Sequence, residues 1–213
     1  MAEQTLKEKT AKGLFWGGLS NGVQQVLNLV FGLMLARILD ASDYGMVGML
    51  AIFSAIASTI QESGFTAALT NQKEIRHEDY NAVFWFSTLT GVSFYLILFF
   101  CAPLIAQFYD KPELIGLSRI VFLSFLFGGF GIASNAYMFK TLMVKERAKI
   151  DIISLICSGT IGVLLALNGF AYYGLAIQTT AYIGIGSMLK FCYSPWTPTF
   201  LIDWRPLKSM FRF

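Results

Sequence analysis

Six apolar runs, at about 13–36, 44–69, 82–106, 114–139, 150–167 and 172–191, constrain this chain more than any other feature. Each is close to or above the roughly 20 residues that a helix needs to cross the hydrocarbon of a bilayer. Lipid offers no water to backbone N–H and C=O groups. A run of this kind must therefore satisfy its own hydrogen bonds, as a helix does. The expected fold is an all-α membrane protein with six transmembrane helices. The fifth and sixth are separated only by NGFAYYG, which predicts a tight helical hairpin.

Composition agrees. Of 213 residues, 55% are hydrophobic and 14% charged, where a soluble domain carries about 25% charged residues. The net charge of +3 is spread over loops separated by apolar runs. No continuous basic surface for nucleic acid can form from them. Cys101, Cys157 and Cys192 are far apart and lie within or at the ends of apolar runs, with no CxxC spacing. They read as small apolar residues. The polar, basic start MAEQTLKEKTAKG precedes a run too long for a signal h-region, so a retained first span is expected.

Placing the N-terminus in the cytoplasm puts 13 of the 16 Lys and Arg residues on the cytoplasmic side. Arg37, Lys111 and Arg119 remain on the other. The positive-inside rule favours that orientation, with both termini cytoplasmic. Residues 1–192 would form the six-helix unit. The stretch 193–213, punctuated by Pro195, Pro198 and Pro206, mixes Trp196, Trp204, Phe211 and Phe213 with Arg205, Lys208 and Arg212. It suits a cytoplasmic interfacial segment, where rings and snorkelling cations are both comfortable.

Polar residues within the runs are the candidates for function. In LARILDASDYGMVGML, Arg37 falls in the last turn of the first helix. Ser42 or Asp43 can cap the second. Asn21, Gln24, Gln25 and Asn28 recur at three- and four-residue spacing, so they share one helix face. Such a stripe faces either a neighbouring helix as amide glue or a watery cavity that takes a polar substrate. Glu62, near the end of the second run, is either an ion- or proton-coupling group or an interfacial acid. Ser124, Gly128, Gly131 and Asn135 share a face suited to close helix packing. The loop FKTLMVKERAKID is basic, either for topology alone or to attract an anionic headgroup. His77 stands among Glu74, Glu78 and Asp79, a weak metal or base signal best read as a solvated loop. With no GxSxG, HExxH or phosphate-cradling loop, no enzyme, metal or cofactor is expected.

Several stretches, taken in order, resemble a known family. LARILDASDYGMVGM resembles the signature joining the first two helices of the polysaccharide-biosynthesis flippases, the Wzx-like branch of the MOP exporter superfamily. IQESGFTAALTNQKE, FYDKPEL, MFKTLMVKERAKIDIISLI and YYGLAIQ resemble its later connections. The resemblance implies the N-terminal lobe of a MOP/MATE-like transporter, which moves an undecaprenyl-pyrophosphate-linked oligosaccharide across the bacterial inner membrane. The partners it implies are that lipid-linked oligosaccharide, membrane lipids, and a C-terminal lobe, from the same chain or a second one. It makes RILDASDYG a turn that fixes how the first two cavity-lining helices pair. It also nominates Arg37, Arg119 and Lys140 as cations for the pyrophosphate, leaving open which of them face the cavity. A multidrug exporter half and a non-transporting scaffold for glycan enzymes are the alternatives.

Overall fold

The computed structural model describes residues 6–62 and 75–200, with side chains for 15–59, 61 and 75–200. Among the described residues there are six long helices: α1 (Leu6–Ile38), α2 (Ala41–Glu62), α3 (His77–Phe108), α4 (Leu114–Lys140), α5 (Val144–Leu167) and α6 (Ala171–Tyr193). No strand occurs among the described residues. Five of the helices are long and apolar enough to cross a membrane. The sixth, α6, is 23 residues long but carries Gln178, Thr179, Thr180 and several tyrosines, which dilute its apolar content. The chain is a multi-pass, all-α membrane protein.

The helices extend past several of the expected apolar limits. α1 begins in the basic KEKTAK stretch, α3 in HEDYN and α5 in VKERAK. Hydropathy marks the part of a helix that lies in hydrocarbon, whereas the helix continues into water as long as its ends are capped. Both α2 and α3 start in the same way. The Asp40 N–H donates to Asp43 Oδ2 at 3.0 Å, and the Arg76 N–H to Asp79 Oδ2 at 2.8 Å. In each case an acid three residues into the helix reaches back to the free amide at its start. Asp43, rather than Ser42, therefore does the capping. His77 opens α3 and lies in no loop, its ring centroid 5.8 Å from that of Trp196.

Helices α3, α4 and α5 end alike. Each closes with a residue at positive φ: Asp110 (53°), Leu142 (57°) and Gly169 (84°). The next amide in each case bonds back five residues, Lys111 to Ala106 O, Met143 to Met138 O and Phe170 to Leu165 O. This satisfies carbonyls that the helix end would otherwise leave free. The α5–α6 connection is thereby as tight as NGFAYYG predicts.

Packing does not follow chain order. α3 and α4 lie close along their length, α4 also packs on α6, and α5 pairs with α6. α1 packs against α5, while α2 rests on α4, α6 and α3. The RILDASDYG turn thus joins α1 and α2 without pairing them along their lengths. The reason is apolar: Phe31, Leu35 and Ile38 of α1, and Leu39 just beyond it, meet Val163, Ala166 and Leu175 of the α5–α6 hairpin.

The α3–α4 contact depends on glycine. A Cβ on Gly129 would fall 2.6 Å from Ser87 O, and one on Gly91 would fall 2.5 Å from Phe125 O. Ser87 Oγ donates to Gly129 O at 3.0 Å, and Gln61 Nε2 of α2 donates to Phe125 O at 2.9 Å. Close backbone approach and interhelical hydrogen bonds of this kind replace the hydrophobic effect, which is absent between helices in lipid. After α6, residues 194–200 turn back along the start of α3. Trp196 is 5% exposed and packs with Tyr80 and Phe84. Asn81 Oδ1 accepts from the Thr199 N–H, and Trp85 Nε1 donates to Thr199 O, each at 2.9 Å. Trp204, Arg205 and the rest of the stretch to Phe213 lie outside the described residues.

Candidate functional site

The polar stripe of α1 faces the α5–α6 hairpin across two clefts that share Gln24. The larger, about 310 Å³, is lined by Gln24 and Asn28 of α1, Leu155 and Ser158 of α5, and Leu175, Gln178, Thr179 and Tyr182 of α6. The smaller, about 210 Å³, lies nearer the start of α1. Gly17, Ser20, Asn21 and Gln24 form one wall, and Val144, Arg147, Ala148 and Asp151 the other.

Each wall follows from helical spacing. Ser20, Gln24 and Asn28 are successive fourth residues, so they stack on one side of α1. Gln24 Nε2 donates to Ser20 Oγ at 2.9 Å, which orients the amide along the helix. Arg147, Asp151, Leu155 and Ser158, at steps of four, four and three, share one side of α5. Leu175, Gln178 and Tyr182 likewise share one side of α6. The opposite side of α6 holds the hairpin to α4, where Thr180 Oγ1 donates to Ile120 O at 3.0 Å. Gly162 makes room for the polar wall: a Cβ there would meet the Gln178 side chain at 2.8 Å.

The chemistry is graded along the clefts. In the larger one amides and hydroxyls are set into a wall that is more apolar than polar, with Leu155 and Leu175 in it, and none of its described lining residues is charged. Charges gather at the end where α5 begins. Asp151 pairs with Lys190 of α6 at 3.4 Å, with both side chains mostly buried. Arg147 lies over the Phe139 ring, 5.4 Å from its centroid, and its buried Nε has no partner. The larger cleft can offer hydrogen bonds of both senses to a neutral polar guest, and the smaller one adds a cation.

The residues nominated from sequence divide. Asn21, Gln24 and Asn28 line the clefts, while Gln25 is exposed beside them and lines neither. Arg37 is exposed in the last turn of α1, far along that helix from the cleft that Arg147 lines. Arg119 of α4 stacks on Phe99 of α3, 4.2 Å from the ring centroid. Lys140 is in the last turn of α4. None of these three cations lines either cleft. Glu62 ends α2, and its side chain lies outside the described residues. Sequence reasoning missed Arg147, Asp151, Ser158, Gln178 and Tyr182. On α5 and α6 the rows at three- and four-residue spacing mix polar with apolar residues such as Leu155 and Leu175, so no polar stripe stands out there.

A family of polysaccharide biosynthesis proteins matches residues 34–213, most of the chain. The chain belongs to this family. It is 24% identical to the teichuronic acid biosynthesis protein TuaB of Bacillus subtilis, covering 98% of this chain and 44% of that protein. It is 26% identical to the succinoglycan biosynthesis transport protein ExoT of Rhizobium meliloti, over 98% of this chain and 42% of the relative. With the lipopolysaccharide biosynthesis protein WzxC of Escherichia coli it shares 27% identity over 67% of this chain and 28% of the relative. The chain thus spans less than half the length of these relatives. No solved structure matches it. The family resemblance expected from RILDASDYG and the later connections stands.

Proposed function

We propose that this chain is the N-terminal lobe of a flippase that carries an undecaprenyl-pyrophosphate-linked oligosaccharide across the bacterial inner membrane. The observation that carries the reading is the set of uncharged polar side chains in the largely apolar cleft between α1, α5 and α6. Its Gln24, Asn28, Ser158, Gln178, Thr179 and Tyr182 offer the donors and acceptors that sugar hydroxyls need. Polar side chains in membrane helices are costly unless they face a partner or a hydrated path. Membership of a polysaccharide biosynthesis family, with a relative named a transport protein, supports the same reading.

In this scheme the glycan crosses along the cleft while the lipid tail stays in the bilayer. A second lobe, from the same chain or another, faces the cleft. Both ends of this lobe are cytoplasmic, in keeping with the excess of Lys and Arg on that side. Glu62 is the candidate for ion or proton coupling, and Arg37, Arg119 and Lys140 are candidates for contact with the pyrophosphate. The test is glycan export by the complete transporter carrying alanine at Gln24, Asn28 and Gln178 together. Export should fall at least tenfold with the protein still inserted at normal levels. Unchanged export refutes the cleft as the glycan path.

A further inference from the structure

Four of the chain's 16 cations cluster about one turn. Residues 140–149, which run from the last residue of α4 through the turn into the first turns of α5, carry Lys140, Lys145, Arg147 and Lys149 against Glu146, a net of 4 − 1 = +3. That equals the net charge of the whole chain. The other twelve cations are matched by twelve acids, 16 − 4 against 13 − 1.

The turn is built as an interfacial element. Leu142 at its tip has positive φ and is exposed, as is Phe139 before it. Arg147 lies over the Phe139 ring, and Lys145 sits 5.4 Å from the centroid of Trp16 at the foot of α1. Ring contacts hold both cations in place. Asp151, the nearest acid on the cleft wall, is engaged by Lys190. Arg147 is left with a buried Nε and no acceptor. Its guanidinium is only partly buried and lines the smaller cleft, so its outer N–H groups can donate to an oxygen ligand there, and a phosphate supplies several. Beside the site, the outer face of α1 exposes Phe15 and Leu19, an apolar track for acyl chains.

We propose that the α4–α5 turn and the foot of α1 hold the phosphate of an anionic membrane phospholipid as a resident ligand. Arg147 donates to the phosphate from the cleft side, Lys145 attracts it from the α1 side, and the acyl chains lie along Phe15 and Leu19. The lipid fills the junction between α1 and the helix that holds it, α5. This site is for the membrane's own lipid and does not rest on the transport reading.

Native mass spectrometry of the detergent-solubilised chain, titrated with phosphatidylglycerol or phosphatidylcholine, tests it. Phosphatidylglycerol should be retained preferentially. Each cation removed from the site should weaken retention about fivefold, so Arg147→Gln with Lys145→Gln should weaken it about 25-fold. Arg147→Lys keeps the charge, and with it the insertion signal, but loses the paired N–H groups of the guanidinium. It should still weaken retention measurably. Lys111→Gln, at the far end of the lobe, should leave it unchanged. Equal retention of both lipids overturns the proposal. So does an equal effect of Lys111→Gln and Arg147→Gln, which would reduce the interaction to bulk charge. Displacement of phosphatidylglycerol by inorganic phosphate alone also overturns it, since the ligand would then be phosphate and not a lipid.

Discussion

Gly128 and Gly129 are adjacent on α4, yet alanine should have opposite effects at the two positions. A Cβ on Gly128 would lie 3.7 Å from Gln61 Oε1 and 3.9 Å from Ile183 Cγ2, ordinary van der Waals contact. Alanine there gains helix propensity, up to about 1 kcal/mol, at no steric cost. A Cβ on Gly129 would lie 2.6 Å from Ser87 O. Reaching the 3.4 Å of ordinary contact requires α3 and α4 to separate by 3.4 − 2.6 = 0.8 Å at their closest point. That shift would stretch the bond from Ser87 Oγ to Gly129 O, now 3.0 Å, well beyond hydrogen-bonding distance. Overpacking costs about 1–3 kcal/mol, and the lost interhelical bond adds roughly 0.6 kcal/mol. Less the same propensity gain, Gly129→Ala should therefore lower the unfolding free energy by about 1–3 kcal/mol. Gly128→Ala should leave it level or raise it. Equilibrium unfolding in mixed micelles, followed by tryptophan fluorescence, measures both. Equal stabilities for the two variants would refute the close α3–α4 approach.

Other contacts give shorter tests. Asn81→Ala with Trp85→Phe removes both side-chain bonds to Thr199, so the emission of Trp196 should shift to longer wavelength as the 194–200 segment lifts. An unmoved spectrum would show that the two bonds do not hold it. Asp151→Asn should destabilise the α5–α6 hairpin by about 1 kcal/mol, between the values for exposed and buried pairs. The exchange Asp151→Lys with Lys190→Asp should recover most of that loss, and failure to recover would mean the pair contributes nothing as a pair. Leu142→Gly removes a side chain from a left-handed position and should stabilise by roughly 0.5–1 kcal/mol. The same unfolding measurement should show Gly169→Ala destabilising by a similar amount.

Much of the fold was legible because lipid imposes one rule on every span: apolar outside and hydrogen-bonded within. Six runs announced six helices, and the NGFAYYG connection announced the hairpin. Partner choice was less legible. RILDASDYG invites the inference that α1 and α2 pair, but helices joined by a short turn need not pack. The affinity of Phe31, Leu35 and Leu39 for Val163 and Ala166 decides instead. The α1 stripe could be read because four amides stand out against an apolar background. Its counterpart could not, because Ser158, Gln178 and Tyr182 are single polar residues on two helices and converge only once the hairpin closes. Arg147 was hidden for another reason. It is the one arginine among four neighbouring cations, but nothing in the sequence shows that its side chain turns to the cleft and the Phe139 ring. Trp196, among prolines and aromatic residues, has the profile of an interfacial ring, and the structure draws it into a cluster with Tyr80 and Phe84.

The two halves of α1 are held differently, and this determines how the clefts can open. Towards Ile38 the helix is fastened: Leu35 is 3% exposed, and the Phe31 ring covers Gly159 of α5. Towards Phe15 the contact is looser: two clefts open between α1 and the α5–α6 hairpin, with Ser20, Gln24 and Asn28 on the gap, and α5 is met there through Lys145 on the Trp16 ring and Val144 beside Gly17. A helix packed tightly at one end and bordering a cleft along the rest can pivot about the packed end. A Cβ on Gly159 would lie 2.5 Å from the Phe31 ring, so Gly159→Ala should drive the ring, and α1 with it, away from α5. A cysteine placed at Asn28, in a background without Cys101, Cys157 and Cys192, reports the gap through its labelling rate with a water-soluble maleimide. Gly159→Ala should speed labelling several-fold. Gly18→Ala, which adds a methyl to open space on the same helix, should not change it. If the two variants label at the same rate, α1 is not hinged at Phe31, and the clefts must open by movement of α6 instead.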